Sequence, residues 1–325
     1  MSIGETPESS RGVGQRVKLA RRPVHGVLLL DKPSGITSTA ALARAKRALA
    51  AAKAGHTGTL DPMASGLLPL CFGEATKFAA DLLDADKSYC ATLRLGVTTT
   101  TGDAEGEVLA TRVVDVDRTA LEAALALHRG AIAQTPPMYS ALKRDGKPLY
   151  EYARSGVTLE RDARAVEIRR LVATAFDGID ATLEVDCSKG TYIRTLAEDI
   201  GAVLGCGAHL IALRRTRVGS LRLSDAIALD TFEARDAAQR DAHLLPLDTL
   251  IASLPRIDLD PAMSTRFLHG QRLPLQGAGD CERVRVYGFV DSTRSCAPAL
   301  LGTAQVRDGG VLAPLRLVLQ TSRRP

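Results

Sequence analysis

The chain has 325 residues, of which 45% are hydrophobic and 24% are charged, and its formal net charge at pH 7 is +5. This length is enough for one large domain, or for a domain with a small appendage, and for a sizeable buried core. No run approaches the roughly 18 apolar residues that cross a bilayer, and the N-terminus has no apolar signal-peptide core, so we predict a cytoplasmic protein without a membrane segment.

The six cysteines are scattered singly, and no two of them form a C-x-x-C pair. This pattern argues against a structural zinc site and against a disulfide framework, and it indicates reduced thiols. Cys206 and His209 have a possible ligand spacing, but no second pair accompanies them, and a packed helix end explains them better. We therefore expect no metal and no cofactor.

The positive charge is concentrated in short segments that are spread along the chain. If these segments converge on one face, they suit a phosphate backbone; otherwise they are separate solvated surfaces, and the sequence leaves both interpretations open. The basic segments are 11–22, 143–147, 161–170, 214–217 and 323–324.

Hydrophobic periodicity and turn residues define the elements that we predict along the chain. Residues 1–22 lack periodicity and predict a disordered basic arm. A Leu-Pro pair near residue 255 marks a boundary, and short strands beyond it predict a small β-rich appendage. In chain order, the predicted elements are a strand at 24–30, a helix at 38–53 capped by Thr37 or Ser38, a strand at 67–72, a helix at 74–83, a strand at 87–95, a helix at 118–130 capped by Asp117, strands at 165–175 and 181–187, a helix ending near 204, a strand at 210–220, and strands at 283–290, 299–306 and 311–319.

A glycine-rich segment at 55–66 stands out because it holds three glycines, a proline and one carboxylate, Asp61. Glycine and proline disfavour a helix or a regular strand, so we predict a loop. Small residues on both sides would let a ligand approach Asp61 closely. The alternative is a surface turn in which Asp61 bonds its own backbone.

Two other segments combine aromatic and basic residues. Residues 134–156 contain prolines, tyrosines, lysines and arginines, a composition that suits either a mobile clamp over a ligand or an ordinary surface excursion. A glycine turn at 188–195 presents Tyr192 and Arg194 at a strand-to-helix junction. Together with the glycine-rich segment, these three stretches are the candidates for a functional site.

Five short motifs, in order along the chain, resemble those of the bacterial TruB-type tRNA pseudouridine-55 synthases. Any one of them alone is weak, but together they are specific, and they cover residues 24 to 220. The C-terminal part resembles the small PUA-like domain of the same family, with less motif support. The motifs are GVLLLDKP (26–33), GHTGTLDP (55–62), GEATK (73–77), YSALK (139–143) and CSKGTYIR (187–194).

The resemblance implies a mixed α+β fold, with a central mixed, largely antiparallel sheet flanked by helices. It implies a catalytic domain at 23–252, in which 134–156 is an RNA-clamping insertion, and a PUA-like domain at 255–325. The implied reaction isomerises uridine 55 in the T-arm of tRNA: the N1 glycosidic bond breaks and re-forms to C5. Because the reaction needs neither electrons nor a second substrate, the absence of cofactor motifs is consistent with it.

The resemblance also assigns roles to individual residues. Asp61 is the implied nucleophile, which attacks C1′ or C6 or instead assists proton removal at C2′, and Arg194 is expected to keep its carboxylate ionised and oriented. Tyr89 is expected to stack on the uracil and to help proton removal. Because a stacked uridine must be flipped out, His56 is expected to fill the gap that it leaves. The remaining assignments are Tyr192 as a second active-site tyrosine, Leu213 in the uracil pocket, and Lys32, Lys143 and Arg144 as phosphate contacts.

Two rival functions need separate consideration. The zinc-dependent nucleobase deaminases also flip bases, but they require H-x-E and P-C-x-x-C motifs, and neither occurs in this sequence. A non-catalytic RNA-binding protein or tRNA folding chaperone remains an alternative, because the same basic surface would serve binding alone. In either case we expect tRNA as the partner of a monomeric protein.

Overall fold

The computed structural model describes residues 21–275, 279–290, 297–307 and 309–319. The predicted disordered arm at 1–22 therefore lies outside the described residues, except for its last two. Arg22 donates its Nε–H to the Leu49 carbonyl at 2.9 Å and forms an ion pair with Asp241. The described chain thus begins in contact with the folded part of the molecule.

Fourteen strands lie in residues 26–228, and ten of them form one mixed sheet. The other four pair as two small hairpins, β5 with β6 and β8 with β9, which the sequence did not predict. The strands are β1 (Gly26–Lys32), β2 (Ala54–His56), β3 (Ser65–Phe72), β4 (Lys87–Leu95), β5 (Val97–Thr99), β6 (Val108–Thr111), β7 (Gly130–Gln134), β8 (Lys143–Arg144), β9 (Lys147–Pro148), β10 (Arg164–Phe176), β11 (Asp180–Cys187), β12 (Ala208–Val218), β13 (Leu221–Arg222) and β14 (Ile227–Ala228).

The large sheet has the strand order β14, β1, β3, β12, β4, β11, β10, β7, with β2 also paired to β3 and β13 to β12. The β1–β14 and β3–β12 pairs are parallel, and the other pairs are antiparallel. The predicted mixed, largely antiparallel sheet is therefore confirmed. Strand β12, in the middle, brings Arg215 opposite Gly66 of β3 on one side and opposite Tyr89 of β4 on the other.

Helices pack against this sheet and connect its strands. The predicted caps of two helices are confirmed, because Thr37 accepts a hydrogen bond from the Ala40 N–H and Asp117 accepts one from the Ala120 N–H. The helices are α1 (Ser38–Ala48), α2 (Ala79–Leu83), α3 (Arg118–Ala126), α4 (Leu149–Arg154), α5 (Ile193–Val203), α6 (Leu229–Ala234), α7 (Ala237–Ala242) and α8 (Pro261–Leu268).

Several predicted boundaries differ from the structure, and tertiary contacts explain two of them. Helix α1 ends at Ala48 rather than near residue 53, because the following residues pair with Arg22 and then enter β2. In the predicted loop at 55–66, the ends belong to β2 and β3, so the irregular part is only 57–64. Glycine in these strand ends permits a close approach of neighbouring backbone, which local propensity alone does not reveal.

Alternation along the strands divides the core between the two faces of the large sheet. Leu28 and Leu30 of β1 point to the core under helices α1, α3, α5 and α6, whereas Val27 and Leu29 point to a second core that includes Phe78. Both sets are buried. For this reason the sequence of β1 is a continuous apolar run and does not alternate between apolar and polar residues.

The C-terminal residues form a separate five-stranded sheet with its own core around Phe267 and Leu301. The strand order is β15, β17, β18, β19, β16, which confirms a β-rich C-terminal region. The strands are β15 (Arg256–Asp258), β16 (Leu273–Pro274), β17 (Cys281–Gly288), β18 (Ala299–Arg307) and β19 (Val311–Leu317).

Polar contacts join this second sheet to the larger part of the molecule. The Tyr287 hydroxyl donates a hydrogen bond to Asp248, and Arg283 forms an ion pair with Asp81. Arg256 lies over the Tyr287 ring, with its guanidinium carbon 3.9 Å from the ring centre. Within the described residues, no helix has both the length and the apolar character needed to cross a membrane.

Candidate active site

Asp61 lies in the loop 57–64, which hydrogen bonds from two elements hold in place. On one side, the Ser38 hydroxyl at the start of α1 donates to the Leu60 carbonyl at 3.0 Å and accepts from the Leu60 N–H at 2.8 Å. At the next turn, the Gly35 N–H donates to the Pro62 carbonyl at 2.8 Å. The position of Asp61 is thus set by its immediate neighbours in the loop, which are themselves anchored.

On the other side, the loop rests on the buried side chain of Arg215 from β12. Its Nε donates to the Leu67 carbonyl at 2.8 Å, and its terminal nitrogens lie 3.4 and 3.2 Å from the carbonyl oxygens of Thr59 and Gly58. At Gly66, φ is +102° and an added Cβ would lie 2.3 Å from the Arg215 carbonyl oxygen. Glycine is therefore required where β3 and β12 meet.

A cavity of about 90 Å³ opens beside Asp61. This volume is well below the roughly 300 Å³ at the lower end for drug-sized ligands, so it suits only a small flat group. Five of its nine lining residues are ones to which the sequence assigned active-site roles. The lining residues are Thr59, Leu60, Asp61, Tyr89, Thr191, Tyr192, Ile193, Arg194 and Leu213.

Arg194, at the start of α5, forms an ion pair with Asp61. Its Nε lies 3.0 Å from Asp61 Oδ2, and its Nη1 lies 3.5 Å from Asp103 Oδ2. Because the Nε–H bond does not point at that oxygen, the Asp61 contact is an ion pair rather than a well-directed hydrogen bond. The Arg194 side chain is 6% exposed and that of Asp61 is 35% exposed, so the carboxylate is the accessible end of the pair.

The surroundings of Asp61 act on its acidity in opposite directions. Burial raises the pKa of the Asp61 carboxyl and the Asp103 carboxylate raises it further, whereas Arg194 and Lys32 lower it. The net effect is a raised pKa. Arg194 therefore reduces the effect of burial on the nucleophile candidate without reversing it.

Arg194 is also bonded to the polypeptide around it. It donates to the Thr101 carbonyl at 3.0 Å and to the Tyr139 carbonyl at 2.6 Å. Tyr139 belongs to the segment 134–156, so this segment reaches the same arginine that contacts Asp61. The fixed guanidinium can orient the carboxylate without moving itself.

A second cavity, of about 450 Å³, adjoins the first and shares Asp61 and Arg194 with it. Its lining combines acidic residues of the loop after β5 with aromatic and basic residues of the segment 134–156. Arg154 lies over the Tyr150 ring at 5.3 Å, and both line this cavity. The other polar lining residues include Asp103, Glu105, Tyr139 and Ser140.

His56 lies at the end of β2, where its Nδ1 accepts a long hydrogen bond of 3.4 Å from the Gly58 N–H. Burial and the nearby charge of Arg215 lower the pKa of His56, which favours a neutral ring at physiological pH. The ring is half-buried beside the loop and is not among the residues that line the small cavity.

Lys32 does not occupy a place where it could contact a phosphate. Its side chain is completely buried, and its ammonium donates to the carbonyls of Pro33 at 2.9 Å, Ile36 at 2.6 Å and Pro62 at 3.4 Å. Burial lowers the pKa of Lys32 to about 8. These backbone carbonyls already bind the Lys32 ammonium. We therefore correct the expectation that Lys32 contacts a phosphate.

Lys143 and Arg144 lie on the β8–β9 hairpin and are exposed. Neither lines either of the two cavities. The structure thus separates them from Asp61 and leaves their side chains free to meet a large ligand that covers the site. Lys147, on the facing strand, lies 4.7 Å from the centre of the Tyr152 ring.

Sequence reasoning missed two residues of the site, Asp103 and Arg215. Asp103 is buried, and its carboxylate accepts from the Thr101 hydroxyl and from the Glu105 N–H at 3.1 Å, so it belongs to an acidic turn with no distinctive local pattern. Arg215 was included only as part of a basic segment. Its position two residues after Leu213 on β12 places both side chains on one face of the strand and could have indicated an inward-facing side chain.

Comparison with known proteins shows which family the chain resembles. Family models described as TruB family pseudouridylate synthase (N terminal domain), tRNA pseudouridylate synthase B C-terminal domain, and Pseudouridine synthase II TruB, C-terminal, match residues 46–193, 194–252 and 255–318. A protein of Burkholderia lata named tRNA pseudouridine synthase B is 61% identical over 310 residues, which are 94% of this chain and 94% of the relative. A protein of the same name from Ralstonia nicotianae is 60% identical over 94% of this chain and 97% of the relative.

A solved structure shares the fold: that of an H/ACA RNP bound to a substrate RNA containing 2'-deoxyuridine, with a TM-score of 0.68 and 24% identity over 91% of this chain and 86% of that chain. The family models and the relatives show that the chain is a protein of the pseudouridine synthase class. Within that class, the chain belongs to the TruB family of pseudouridylate synthases.

Proposed function

We propose that this protein is a tRNA pseudouridine synthase that isomerises uridine 55 in the T-arm. The observation that supports it most is the small cavity in which Asp61, Tyr89 and Arg194 meet. The relatives from Burkholderia lata and Ralstonia nicotianae carry the name of that activity over nearly their whole length. Membership of the family therefore favours catalysis over binding alone.

Asp61 is the nucleophile in this proposal, because it is the accessible carboxylate of the cavity. Attack by the carboxylate gives a covalent intermediate while the N1–C1′ bond breaks. The base then turns, the C5–C1′ bond forms, the bond between the substrate and Asp61 breaks to regenerate the carboxylate, C5 loses its proton, and N1 gains one. The atoms of the product are those of the substrate, so the protein needs only to hold groups and move protons.

The target uridine must leave its stack to reach Asp61, at an energy of about a few kcal/mol. In the proposal, the uracil enters the small cavity between Tyr89 and Leu213, with Tyr192 at its edge. His56 takes the place that the base leaves, since its neutral, half-buried ring lies at the margin of the loop. A neutral aromatic ring can stack on the neighbouring bases.

The hairpin that carries Lys143 and Arg144 is proposed to contact RNA phosphates, and the segment 134–156 to cover the bound T-arm. Its contact with Arg194 through the Tyr139 carbonyl supports a location at the mouth of the site. We infer that the protein works as a monomer. We propose the cytoplasm as its location, where tRNA is available.

The proposal predicts that Asp61→Asn abolishes pseudouridine formation and leaves the tRNA dissociation constant within a few-fold. The amide keeps the shape of the side chain but is not a nucleophile. Pseudouridine in an unmodified tRNA transcript should be mapped at single-nucleotide resolution after incubation with each protein, and binding should be measured by filter retention. Full activity of the variant would contradict the assignment of Asp61.

The same two assays on the native protein distinguish the catalytic function from the non-catalytic alternative. If the native protein binds the transcript but forms no pseudouridine at any position, only the binding function remains. Product at a position other than 55 would support the reaction and contradict the proposed substrate site.

A further inference from the structure

Arg215 is the largest of the fully buried side chains, with 2% of the residue exposed. Within the part of the chain that the structure describes, no carboxylate lies within ion-pair distance of its guanidinium, and the contacts described above are to backbone carbonyls. A buried cation without an opposite charge is unfavourable, because its lost hydration is not fully offset. Packing alone is therefore a poor explanation for an arginine at this position.

The cavity residue that Arg215 faces is Tyr89. The two residues are direct partners in the antiparallel β4–β12 ladder, so their side chains lie side by side on one face of the sheet. The Arg215 guanidinium lies close enough to the Tyr89 hydroxyl to lower the pKa of that hydroxyl. Because the guanidinium also binds the carbonyls of Gly58 and Thr59, a single side chain lies between Tyr89 and the loop of Asp61.

Three charged or titratable groups act on the Tyr89 hydroxyl from the elements around it. Cys187 of β11 is a neutral thiol, since burial raises its pKa to about 11, and Asp61 of the loop is a carboxylate. Burial raises the pKa of Tyr89, and Cys187 and Asp61 add to this, whereas Arg215 lowers it; the net effect is a raised pKa, so the resting hydroxyl is protonated. Arg215 is thus the neighbour that favours the ionised tyrosine.

We propose that Arg215 is a positioning residue for the pseudouridine reaction, which holds the Tyr89 oxygen in place and stabilises the negative charge on it. The inference rests on the proposed function, in which Tyr89 takes the proton from C5 of the isomerised base. In that step the Tyr89 hydroxyl first gives its proton to solvent. The C5–H bond then breaks, an O–H bond re-forms on the Tyr89 oxygen, the C–H electron pair returns to the uracil ring, and N1 takes a proton from solvent.

Lys87 provides a matched control, because it is also a buried cation with carbonyl partners. Its ammonium lies 3.2 Å from the Leu82 carbonyl oxygen and 2.7 Å from that of Leu83, and burial lowers its pKa to about 8. Lys87 lies on the same strand as Tyr89, two residues away, but it does not contact the hydroxyl. It therefore shares the structural environment of Arg215 without the proposed function.

The first test compares kcat, KM and melting temperature for the native protein and three variants on a tRNA transcript. Arg215→Lys keeps a charge but lacks the planar fork that reaches several oxygens at once, and Arg215→Gln removes the charge. We expect both to reduce kcat by at least about tenfold, within the range for general acid–base groups, while KM changes by less than about threefold. Lys87→Met should lower the melting temperature but change kcat by less than about twofold.

The second test asks whether the effect passes through Tyr89. Fluorotyrosine at position 89 has a more acidic phenol, so it should restore part of the kcat lost in Arg215→Lys. It should produce no comparable gain in Lys87→Met. A residue that only supports the fold would not be rescued by a change in phenol acidity.

Each other outcome overturns the inference. An unchanged kcat in Arg215→Lys, or a reduced kcat that fluorotyrosine does not restore, would show that Arg215 does not act through Tyr89. Failure of both Arg215 variants to fold would make it a structural residue. If the native protein itself forms no pseudouridine, the proposed function fails first, and this result is separate from the other three.

Discussion

At the scale of single residues, the site depends on how a carboxylate and a guanidinium share a partly buried position. Arg194 is anchored by backbone carbonyls and by Asp103, so it is fixed before any ligand binds. Asp61 faces the cavity and has a raised pKa, which makes its ionised form less stable than that of a solvated aspartate. A less stabilised carboxylate is a better nucleophile once it is ionised.

The raised pKa of Asp61 predicts the acid limb of the pH–rate profile. The ionised form is required, so kcat/KM should fall as pH decreases through a midpoint above the value of about 3.9 that is usual for aspartate. The measurement is kcat/KM from pH 4 to 7, with circular dichroism to confirm that the protein stays folded. A midpoint at or below the usual aspartate value would contradict the raised pKa.

Replacing Arg194 by lysine should move this limb to higher pH, because the new ammonium sits less closely against the carboxylate. Arg94→Lys is the matched control, since Arg94 pairs with Asp180 at the surface, away from the cavity. The control variant should keep the acid limb of the native protein.

At the scale of elements, the site depends on the contact between β3 and β12. These strands are parallel neighbours over only two residue pairs, and Gly66 lies at one of them, opposite Arg215. The backbone at Gly66 has a positive φ, and no side chain fits there. The junction therefore fixes both the end of the Asp61 loop and the position of the Arg215 backbone.

We predict that Gly66→Ala destabilises the protein by more than about 1 kcal/mol, through the unfavourable φ and the clash with the Arg215 backbone. Chemical denaturation followed by circular dichroism measures the change in the free energy of unfolding. Gly178→Ala is the matched control, because Gly178 has a φ of +100° but no atom within 4 Å of the added Cβ. Equal losses in the two variants would show that backbone strain alone, without the clash, accounts for the effect.

At the scale of the whole molecule, the two sheets contact each other, and several basic side chains form ion pairs within the protein. Arg283 and Arg256 of the C-terminal sheet pair with Asp81 and Asp258, so these guanidinium groups are not free for a ligand. The exposed cations of the β8–β9 hairpin have no such carboxylate partner among the described residues. The charge that reaches RNA is therefore expected from this hairpin more than from the C-terminal sheet.

Affinity for tRNA should fall steeply as salt concentration rises, because phosphate contacts release counterions. The double variant Lys143→Gln and Arg144→Gln should reduce the slope of log K against log salt by roughly 1 for each phosphate contact that is lost. Filter binding between 50 and 200 mM salt measures this slope. Arg94→Gln, at a surface ion pair, should leave it unchanged, and an unchanged slope in the double variant would remove the hairpin from the RNA contact.

The sequence by itself determined the elements whose local signals are strong. Strand β4 was predicted at its observed limits because its apolar residues alternate, and α3 at its observed start because Asp117 caps it. The resemblance to the TruB family was sufficient to name Asp61, Tyr89, Tyr192, Arg194 and Leu213, which the structure brings to one cavity. These features are local, or are carried by short motifs, and they do not depend on which strands become neighbours.

Only the tertiary structure decided where the cations lie. Lys32 was expected at a phosphate but is buried under the Asp61 loop, and Arg215 was counted with a basic surface but faces Tyr89 inside the sheet. The reason is physical: the environment of a charged side chain is set by strands that are distant in sequence, as β3, β4 and β12 are. The residue type shows that a charged side chain is present. Strand pairing determines whether that side chain contacts solvent, a backbone carbonyl or a tyrosine.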